Sequence, residues 1–331
     1  MIFERDLSDI LGDYYAMNTK KETCPSQFGS QRFYSISTWL KQYFGEKTIK
    51  LAIDGGFTCP NRDGTKGTGG CLFCSDSGSG EFASDIDDQI RLLSDKWPHA
   101  RYLAYFQNHT NTYAPVSELR TKYEAVLANP QIEGLVIGTR PDCLSEDVLD
   151  LLAEISRSHF LWVELGLQTI HEETAGLINR CYPLSVFDEA MEGLRSRGIR
   201  TVVHLILGLP GETRDMMLQS VRYVANQPDL FGMKLHLLNV VKGSAMERDY
   251  ADYQPFSSIE EYVSLVVDCL EIIPPSVTIH RLTGDAPRSI LISPPWSFNK
   301  RTILNGINDQ LHLRDTWQGK KAAEQSAQPH P

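Results

Sequence analysis

The sequence predicts an α/β fold in which a parallel sheet curls into a full or partial TIM-like (β/α) barrel with helices outside. Three observations predict it. From residue 47 onward short β-branched or apolar runs alternate with helical patterns, the order is strand then helix throughout, and the helical patterns begin at capping residues. Because parallel strands need right-handed crossovers and both faces of their sheet must be covered, a barrel satisfies this order.

Seven segments have the pattern of buried strands, at residues 47–54, 101–107, 133–139, 160–168, 199–210, 232–240 and 276–283. Helical patterns occupy residues 84–97, 115–128, 145–157, 171–179, 185–197, 213–226 and 258–272. Pro115, Ser145 and Ser258 stand where helix N-termini are expected, and Gly198 stands where a C-terminal cap is expected. Functional side chains should then lie at the carboxyl ends of the strands.

Composition limits the class of protein. The chain has 331 residues, of which 41% are hydrophobic and 22% charged, as in soluble globular proteins. We expect an N-terminal extension (1–46) with a short amphipathic helix, a barrel (47–285), and a C-terminal extension (286–331) ending in a flexible tail. No run reaches the roughly 20 apolar residues of a membrane helix, so we expect a cytoplasmic protein with no membrane partner. The net charge of −10 gives no global attraction to DNA or RNA.

The loop after the first strand, GFTCPNRDGTKGTGGCLFC, contains Cys59, Cys71 and Cys74 but few apolar residues to bury. Seven irregularly spaced cysteines argue against a disulfide scaffold and favour metal ligation. Three thiolates suit an iron–sulfur cluster with one open iron. The alternative is a zinc site, which needs a fourth ligand such as Cys24 or His99. The other isolated cysteines are interpreted as structural, with Cys143 a further candidate because it follows TRPD; they are Cys24, Cys143, Cys181 and Cys269.

Several motifs together resemble a known family. They are GFTCPNRDGT, GGCLFC, YFQ, TNTYAP, GTRPDCL, WVELGLQT, HLILGLPGE, KLHLL, KGS and HRLTGD. Over about residues 33–312 the chain resembles radical S-adenosylmethionine (radical SAM) enzymes, in particular a bacterial subgroup related to the radical SAM half of the Elp3 proteins. Eleven residues separate Cys59 from Cys71, where the commonest radical SAM motif has three, and this subgroup has the long spacing.

The resemblance implies a [4Fe-4S] cluster held by the three cysteines of the loop. It also implies that S-adenosylmethionine (SAM) binds the open iron and is cleaved to methionine and a 5'-deoxyadenosyl radical, which removes a hydrogen atom from the substrate. The implied cofactor contacts are Phe73 before the last cysteine, Gln107 at the methionine end, Glu164 and Gln168 at the ribose, and His204 and Gly208 in the strand-five motif near adenine. The alternative for buried polar residues in strands is structural pairing.

Substrate-side candidates lie at or just after predicted strand ends. The catalytic candidates are Arg140, Asp142, Lys234, His236 and His280, accompanied by Lys242 and Arg281. The opening of the barrel at the carboxyl ends of its strands would then be rich in Arg, Lys and His, which suits an anionic substrate. The alternative for each of them is a salt bridge or a solvated surface position.

The resemblance further implies modification of a tRNA wobble uridine, from carboxymethylaminomethyl to aminomethyl, with flavodoxin or ferredoxin as electron donor. Basic residues toward the two ends of the chain could contact phosphates; they are Lys20, Lys21, Arg32, Lys41, Lys47, Lys50, Arg62, Lys66, Lys300, Arg301, Arg314, Lys320 and Lys321. The Elp3 reaction needs an acetyltransferase domain, for which we expect no room after residue 283. Two alternatives stay open: the same radical chemistry on a small metabolite or peptide, and a zinc-stabilised, non-catalytic binding module.

Overall fold

The computed structural model of the chain describes residues 23–78, 80, 82–94, 97 and 100–322. Its centre is a seven-stranded, all-parallel sheet whose strand order follows the chain. The strands are β1 Thr48–Ile53, β2 Arg101–Phe106, β3 Ile132–Thr139, β4 Phe160–Gln168, β5 Arg200–Leu207, β6 Gly232–Leu237 and β8 Thr278–Arg281, with β7 Val240–Val241 and β9 Leu291–Ser293 forming a separate antiparallel pair. All seven predicted strands are present.

Helices connect the strands and cover the outside of the sheet. They are α1 Ile36–Phe44, α2 Ile86–Ser94, α3 Val116–Leu127, α4 Glu146–Ser158, α5 Glu172–Leu177, α6 Leu184–Arg195, α7 Arg214–Ala225, α8 Ala245–Asp249, α9 Ile259–Ile272 and α10 Lys300–Leu313. Among the described strands, β1 and β8 form the two edges of the main sheet and do not pair with each other. The predicted fold class is therefore confirmed, and the barrel is of the partial kind.

Helix α1 closes one end of the partial barrel. Ser35 caps it by accepting a hydrogen bond from the Thr38 amide at 3.1 Å, and Gly45 ends it with a φ of 75°. The helix packs against both edge strands, and the Ile279 amide of β8 donates to the Tyr34 carbonyl just before it at 2.8 Å. The segment before the first strand is thus part of the barrel's packing.

The interior of the barrel changes from apolar to polar along the strands. Since side chains alternate between the two faces of a strand, every second residue points inward. On β4 these are Trp162 followed by Glu164, and on β5 Val202 followed by His204. Trp162 and Val202 belong to an apolar cluster that includes Leu40 of α1. The lower interior is therefore filled with hydrocarbon, and the polar residues lie nearer the carboxyl ends of the strands.

The C-terminal region contains structure that the sequence pattern did not predict. Helix α10 packs against α9 through three buried residues, Ile303, Ile307 and Leu311. In the small antiparallel pair, β7 lies between β6 and β8 in the chain order, and β9 follows β8. Most of the predicted flexible tail, residues 323–331, lies outside the described residues, as do residues 1–22.

Candidate active site

The cysteine loop follows β1 and is folded by its own backbone hydrogen bonds. The Cys59 carbonyl accepts from the Arg62 amide at 2.8 Å and from the Asp63 amide at 3.2 Å. The Cys74 amide donates to the Cys71 carbonyl at 2.9 Å. These bonds form two tight turns, one at the first cysteine and one across the C-x-x-C pair, at the carboxyl end of the sheet where the fold predicts a site.

Two asparagines fix this loop to the turn after α5. Asn61 is fully buried, and its Nδ2 donates to the Asn179 carbonyl at 2.5 Å and lies 3.5 Å from the Cys71 Sγ. Asn179 Nδ2 in turn donates to the Gly70 carbonyl at 2.8 Å. A Cβ at Gly67 would lie 2.2 Å from Asn61 Oδ1, so only glycine fits this close approach. The loop conformation is therefore specified by more than its cysteines.

The thiol groups suit an iron–sulfur cluster. Burial raises the pKa of Cys71 to about 12, with a contribution from Cys74 that Arg140 partly offsets. A thiolate at this position therefore needs a positive partner, which the irons of a cluster supply. Among the described residues, no three His, Cys, Asp or Glu side chains are close enough together to hold one metal ion. An iron–sulfur cluster would bind each of the three thiolates through a different iron.

The isolated cysteines differ from one another. Cys269 is buried, as expected of a structural cysteine, whereas Cys181 is exposed, which contradicts that expectation. Cys24, a possible fourth zinc ligand, lies 3.8 Å from the Gln31 carbonyl through its Sγ. The other possible ligand, His99, is outside the described residues. Burial raises the pKa of Cys143 to about 12, and the influence of Cys59 on that pKa places Cys143 near the cysteine loop.

A cavity of about 280 Å³ opens beside the three cysteines and extends into the barrel. Its size is near the lower end of the range for small-molecule sites. Most of the predicted site residues line it: Cys59, Phe73, Cys71, Cys74, Gln107, Arg140, Glu164, Gln168, His204, Lys234 and His236. Residues from the cysteine loop, from β4, β5 and β6, and from the positions just after β2 and β3 thus meet at one cavity, as the barrel topology predicts.

Glu164 is the centre of a buried polar network inside this cavity. Its carboxylate accepts hydrogen bonds from Lys234 Nζ at 2.5 Å and from Lys50 Nζ at 3.3 Å. Trp162 Nε1 donates to it at 3.1 Å, and His204 Nε2 lies 3.0 Å from its Oε2. Glu164 and Lys234 have side-chain exposures of 0% and 2%, so this is a fully desolvated ion pair.

The network sets the protonation states of its members. Burial alone would raise the pKa of Glu164, but Lys234 and then Lys50 lower it well below its usual value. Burial and the neighbouring Lys234 lower the pKa of His204 to about 4. Burial lowers the pKa of His236 well below its usual value, and the neighbouring His204 lowers it further. At neutral pH the cavity therefore contains an ionised carboxylate and uncharged imidazoles.

Arg140 lies at the border between the cysteine loop and the cavity. Its Nε and Nη2 donate to both oxygens of Asp142 at 2.9 Å, and Nη2 also donates to the Arg180 carbonyl at 3.0 Å. The guanidinium is thereby held in one orientation, from which it favours the thiolate form of Cys71. Asp142 acts on the site through this pairing.

Four predicted site residues do not line the cavity, although all lie in the described part of the chain; one of them, Lys242, is exposed. Asp142 holds Arg140, as described above. His280 packs edge-on against Trp162 with ring centroids 5.3 Å apart, and Thr278 Oγ1 lies 2.9 Å from its Nε2. Gly208 has a φ of 91°, and a Cβ there would lie 2.6 Å from Pro255. Its backbone faces packed side chains rather than the open cavity.

Lys234 is also placed differently from the sequence expectation of a residue at a strand end. It is the third residue of β6, and its side chain is buried in the interior. Lys50, predicted as part of a phosphate-contacting rim, lies inside the barrel beside Glu164. The inward position of both lysines could have been predicted from the sequence, since each occupies an inward-facing position of a strand that is otherwise rich in apolar residues.

Much of the predicted basic rim is used for intramolecular contacts. Arg32 contacts Asp315 at 3.2 Å, Arg314 contacts Asp268 at 2.6 Å, and Lys321 contacts Glu271. Lys66 and Arg301 are exposed. Lys20 and Lys21 lie outside the described residues. Within the described ranges, no helix is both long and apolar enough to span a bilayer.

Comparisons with known proteins agree with the geometry. Residues 63–224 match the radical SAM superfamily, and residues 230–312 match the radical SAM C-terminal domain. The uncharacterized protein YtqA of Bacillus subtilis is 48% identical over 299 residues, which cover 88% of this chain and 92% of that protein. The similarity includes the cysteine loop and all seven strands of the main sheet.

Two more distant relatives belong to the Elp3 group. A tRNA uridine(34) acetyltransferase of Dehalococcoides mccartyi is 30% identical over 185 residues, covering 55% of this chain and 39% of that protein. The solved structure of Elp3 from Methanocaldococcus infernus superposes with a TM-score of 0.61 at 17% identity, covering 86% of this chain and 69% of that one. The chain therefore belongs to the radical SAM superfamily, and it is an Elp3-related radical SAM enzyme.

Proposed function

We propose that this enzyme modifies a tRNA wobble uridine, converting its carboxymethylaminomethyl substituent to an aminomethyl group. The observation that carries the proposal is the arrangement of one cavity. Its outer wall contains the three cysteines, and its inner wall contains Lys234, Glu164 and His236. A small polar substituent can enter such a cavity while the rest of a large substrate stays outside.

The cofactor residues follow from the same arrangement. In this proposal Cys59, Cys71 and Cys74 hold a [4Fe-4S] cluster, and Phe73 and Gln107 lie beside bound SAM. When bound, the cluster and SAM supply a 5'-deoxyadenosyl radical that can remove a hydrogen atom from carbon. The chain's own residues would position the substrate, because Gln168 and the inner wall line the same cavity as the three cysteines.

The substrate is chemically suited to hydrogen-atom removal. The carboxymethyl group has a methylene carbon between an amine nitrogen and a carboxylate. A radical at this carbon is stabilised by both neighbours, so its C–H bond is weak. Loss of a further electron to a one-electron acceptor would give an imine, whose hydrolysis would release the two carboxymethyl carbons as glyoxylate and leave the aminomethyl group. The buried, uncharged His204 and His236 add no acid beside this carbon at neutral pH.

The relatives support tRNA as the substrate. The protein from Dehalococcoides mccartyi is named for its action on tRNA uridine 34, and it shares 30% identity with this chain over 185 residues. Elp3 from Methanocaldococcus infernus has the same fold. An external one-electron donor such as flavodoxin or ferredoxin, and a cytoplasmic location, belong to the same proposal.

The test compares wobble nucleosides by mass spectrometry in cells with the gene, without it, and with the gene restored as wild type, Cys71→Ala or Cys181→Ala. We expect the aminomethyl nucleoside to disappear and the carboxymethylaminomethyl nucleoside to accumulate without the gene. Wild type and Cys181→Ala should restore the aminomethyl nucleoside, since Cys181 is exposed and outside the cavity. Cys71→Ala should not. An unchanged nucleoside profile on deletion would rule out this tRNA substrate.

The second candidate function is the same radical chemistry on a small metabolite or peptide. The modest cavity of about 280 Å³ favours it, since a metabolite could be enclosed completely. Purified, cluster-reconstituted enzyme distinguishes the two when its formation of 5'-deoxyadenosine is measured with and without tRNA from the deletion strain. Stimulation by this tRNA, but not by tRNA from wild-type cells, is the result expected of a tRNA-modifying enzyme.

A further inference from the structure

Four cations lie in or beside the inner part of the cavity, and two carboxylates contact them. Lys50 and Lys234 both contact the carboxylate of Glu164. Arg281 contacts Asp285 at 2.6 Å, and the ammonium of Lys300 also contacts Asp285. Four cations therefore share two carboxylates. Lys234 and Arg281 line the cavity, whereas Lys50 and Lys300 lie beside it with side-chain exposures of 24% and 42%.

Two polar groups of this region, on Lys234 and His236, have an unused hydrogen-bonding position among the described residues. An ammonium has three donors, and the bonds of Lys234 within the described residues go to Glu164 and to the Tyr105 hydroxyl at 3.3 Å. The buried Nε2 of His236 has no hydrogen-bond partner among the described residues. Lys234, His236 and Arg281 all line the cavity.

Excess positive charge in a buried site is unfavourable unless an anion neutralises it. Burial lowers the pKa of Lys234 well below its usual value; the carboxylate of Glu164 partly offsets this, and the nearby Lys50 and Arg281 lower the pKa further. A stable fold needs no such charges here, since the adjacent part of the interior is filled by apolar side chains. The surplus charge indicates that the cavity binds an anionic group of a substrate.

We infer that Lys234, His236 and Arg281 form a subsite for a substrate carboxylate at the inner end of the cavity. The inference rests on the proposed function, whose substrate carries a carboxymethyl group on its amine. A carboxylate is favoured over a backbone phosphate because the wobble substituent is the part of a tRNA that can reach so deep. With the carboxylate at this subsite, the adjacent methylene lies between the subsite and the cysteine loop.

The test is a binding measurement on the full-length, cluster-reconstituted protein without oxygen. Equilibrium dialysis compares the free nucleoside 5-carboxymethylaminomethyluridine with its carboxamide, which lacks the negative charge. We expect wild type to bind the acid about tenfold more tightly than the amide. Lys234→Met and Arg281→Gln should reduce this preference to about twofold or less. Arg288→Gln, which removes an exposed cation that does not line the cavity, should keep it.

Equal binding of acid and amide by wild type would overturn the inference, and so would an unchanged preference in both Lys234→Met and Arg281→Gln. Two variants are used so that a folding defect in one, detected by circular dichroism, leaves the other as the test. The preference for the acid separates the contribution of charge from general loss of affinity, because a merely structural effect would weaken acid and amide alike.

Competition by small anions distinguishes this inference from the proposed function. Sarcosine carries the secondary amine and carboxylate alone, and inorganic phosphate represents the backbone anion. If sarcosine binds in a Lys234-dependent manner while the nucleoside does not bind, the subsite is supported and the tRNA function fails. If tRNA is converted but the acid and amide nucleosides bind equally, the function stands and the subsite fails. Stronger competition by phosphate than by sarcosine would overturn the carboxylate assignment.

Discussion

Replacing Glu164 by Gln tests whether the network inside the barrel is ionic. The substitution keeps the shape of the side chain but leaves Lys234, with 2% side-chain exposure, without its carboxylate. Removing one partner of a buried ion pair costs about 3–5 kcal/mol. The cost at pH 7 is limited to about 5 kcal/mol, because Lys234 can release its proton: an ordinary lysine pKa of about 10.4 lies about 3.4 units above pH 7, and each unit corresponds to about 1.4 kcal/mol. Lys50 loses the same partner at a smaller cost, since its side chain is 24% exposed and water can solvate its ammonium.

The assay is urea unfolding at pH 7 of protein purified without oxygen, followed by circular dichroism. We expect Glu164→Gln to lower the free energy of unfolding by about 3–5 kcal/mol. The double variant Glu164→Gln/Lys234→Met should recover about 2 kcal/mol of this loss, because it removes the unpaired ammonium. Glu173→Gln, an exposed position on α5, should change it by less than about 0.5 kcal/mol. A loss below about 1 kcal/mol for Glu164→Gln, with no recovery in the double variant, would refute an ionised pair.

Three further outcomes are expected. Cys71→Ala should abolish the broad visible absorbance of the reconstituted cluster, and Cys181→Ala should retain it; equal spectra would contradict the ligand assignment. Gly67→Ala should lower the iron content after reconstitution, since its Cβ would overlap a buried amide at 2.2 Å, whereas Gly176→Ala has open space and should not. The pKa of His204 is about 4 in the fold against 6.5, so the unfolded chain binds its proton first as pH falls. Stability should decrease between pH 6.5 and 4, and His204→Gln should make urea midpoints fall less steeply there.

The strands and the cysteine loop could be predicted because their signals are local. Period and composition mark each strand, and Cys59, Cys71 and Cys74 lie within sixteen residues of one another. The role of Lys50 could not be predicted in this way, because it depends on contact with a carboxylate 114 residues away in the chain. His280 was misplaced for a related reason. Its position near the end of β8 predicted a side chain at the open end of the barrel, but the ring packs against Trp162 instead of lining the cavity.

The charged network is better explained by binding than by stability. Buried ion pairs often contribute less than well-packed apolar residues of the same volume, because desolvation offsets their attraction. The neighbouring layer of this barrel is filled by apolar side chains instead, with Trp162 and Val202 in one cluster with Leu40 of α1. One step along the same strands, Glu164 and His204 replace hydrocarbon with groups that must be desolvated and paired. Since the polar layer begins where the cavity begins, its cost in stability is best understood as the requirement of holding a polar, charged substrate beside the cysteine loop.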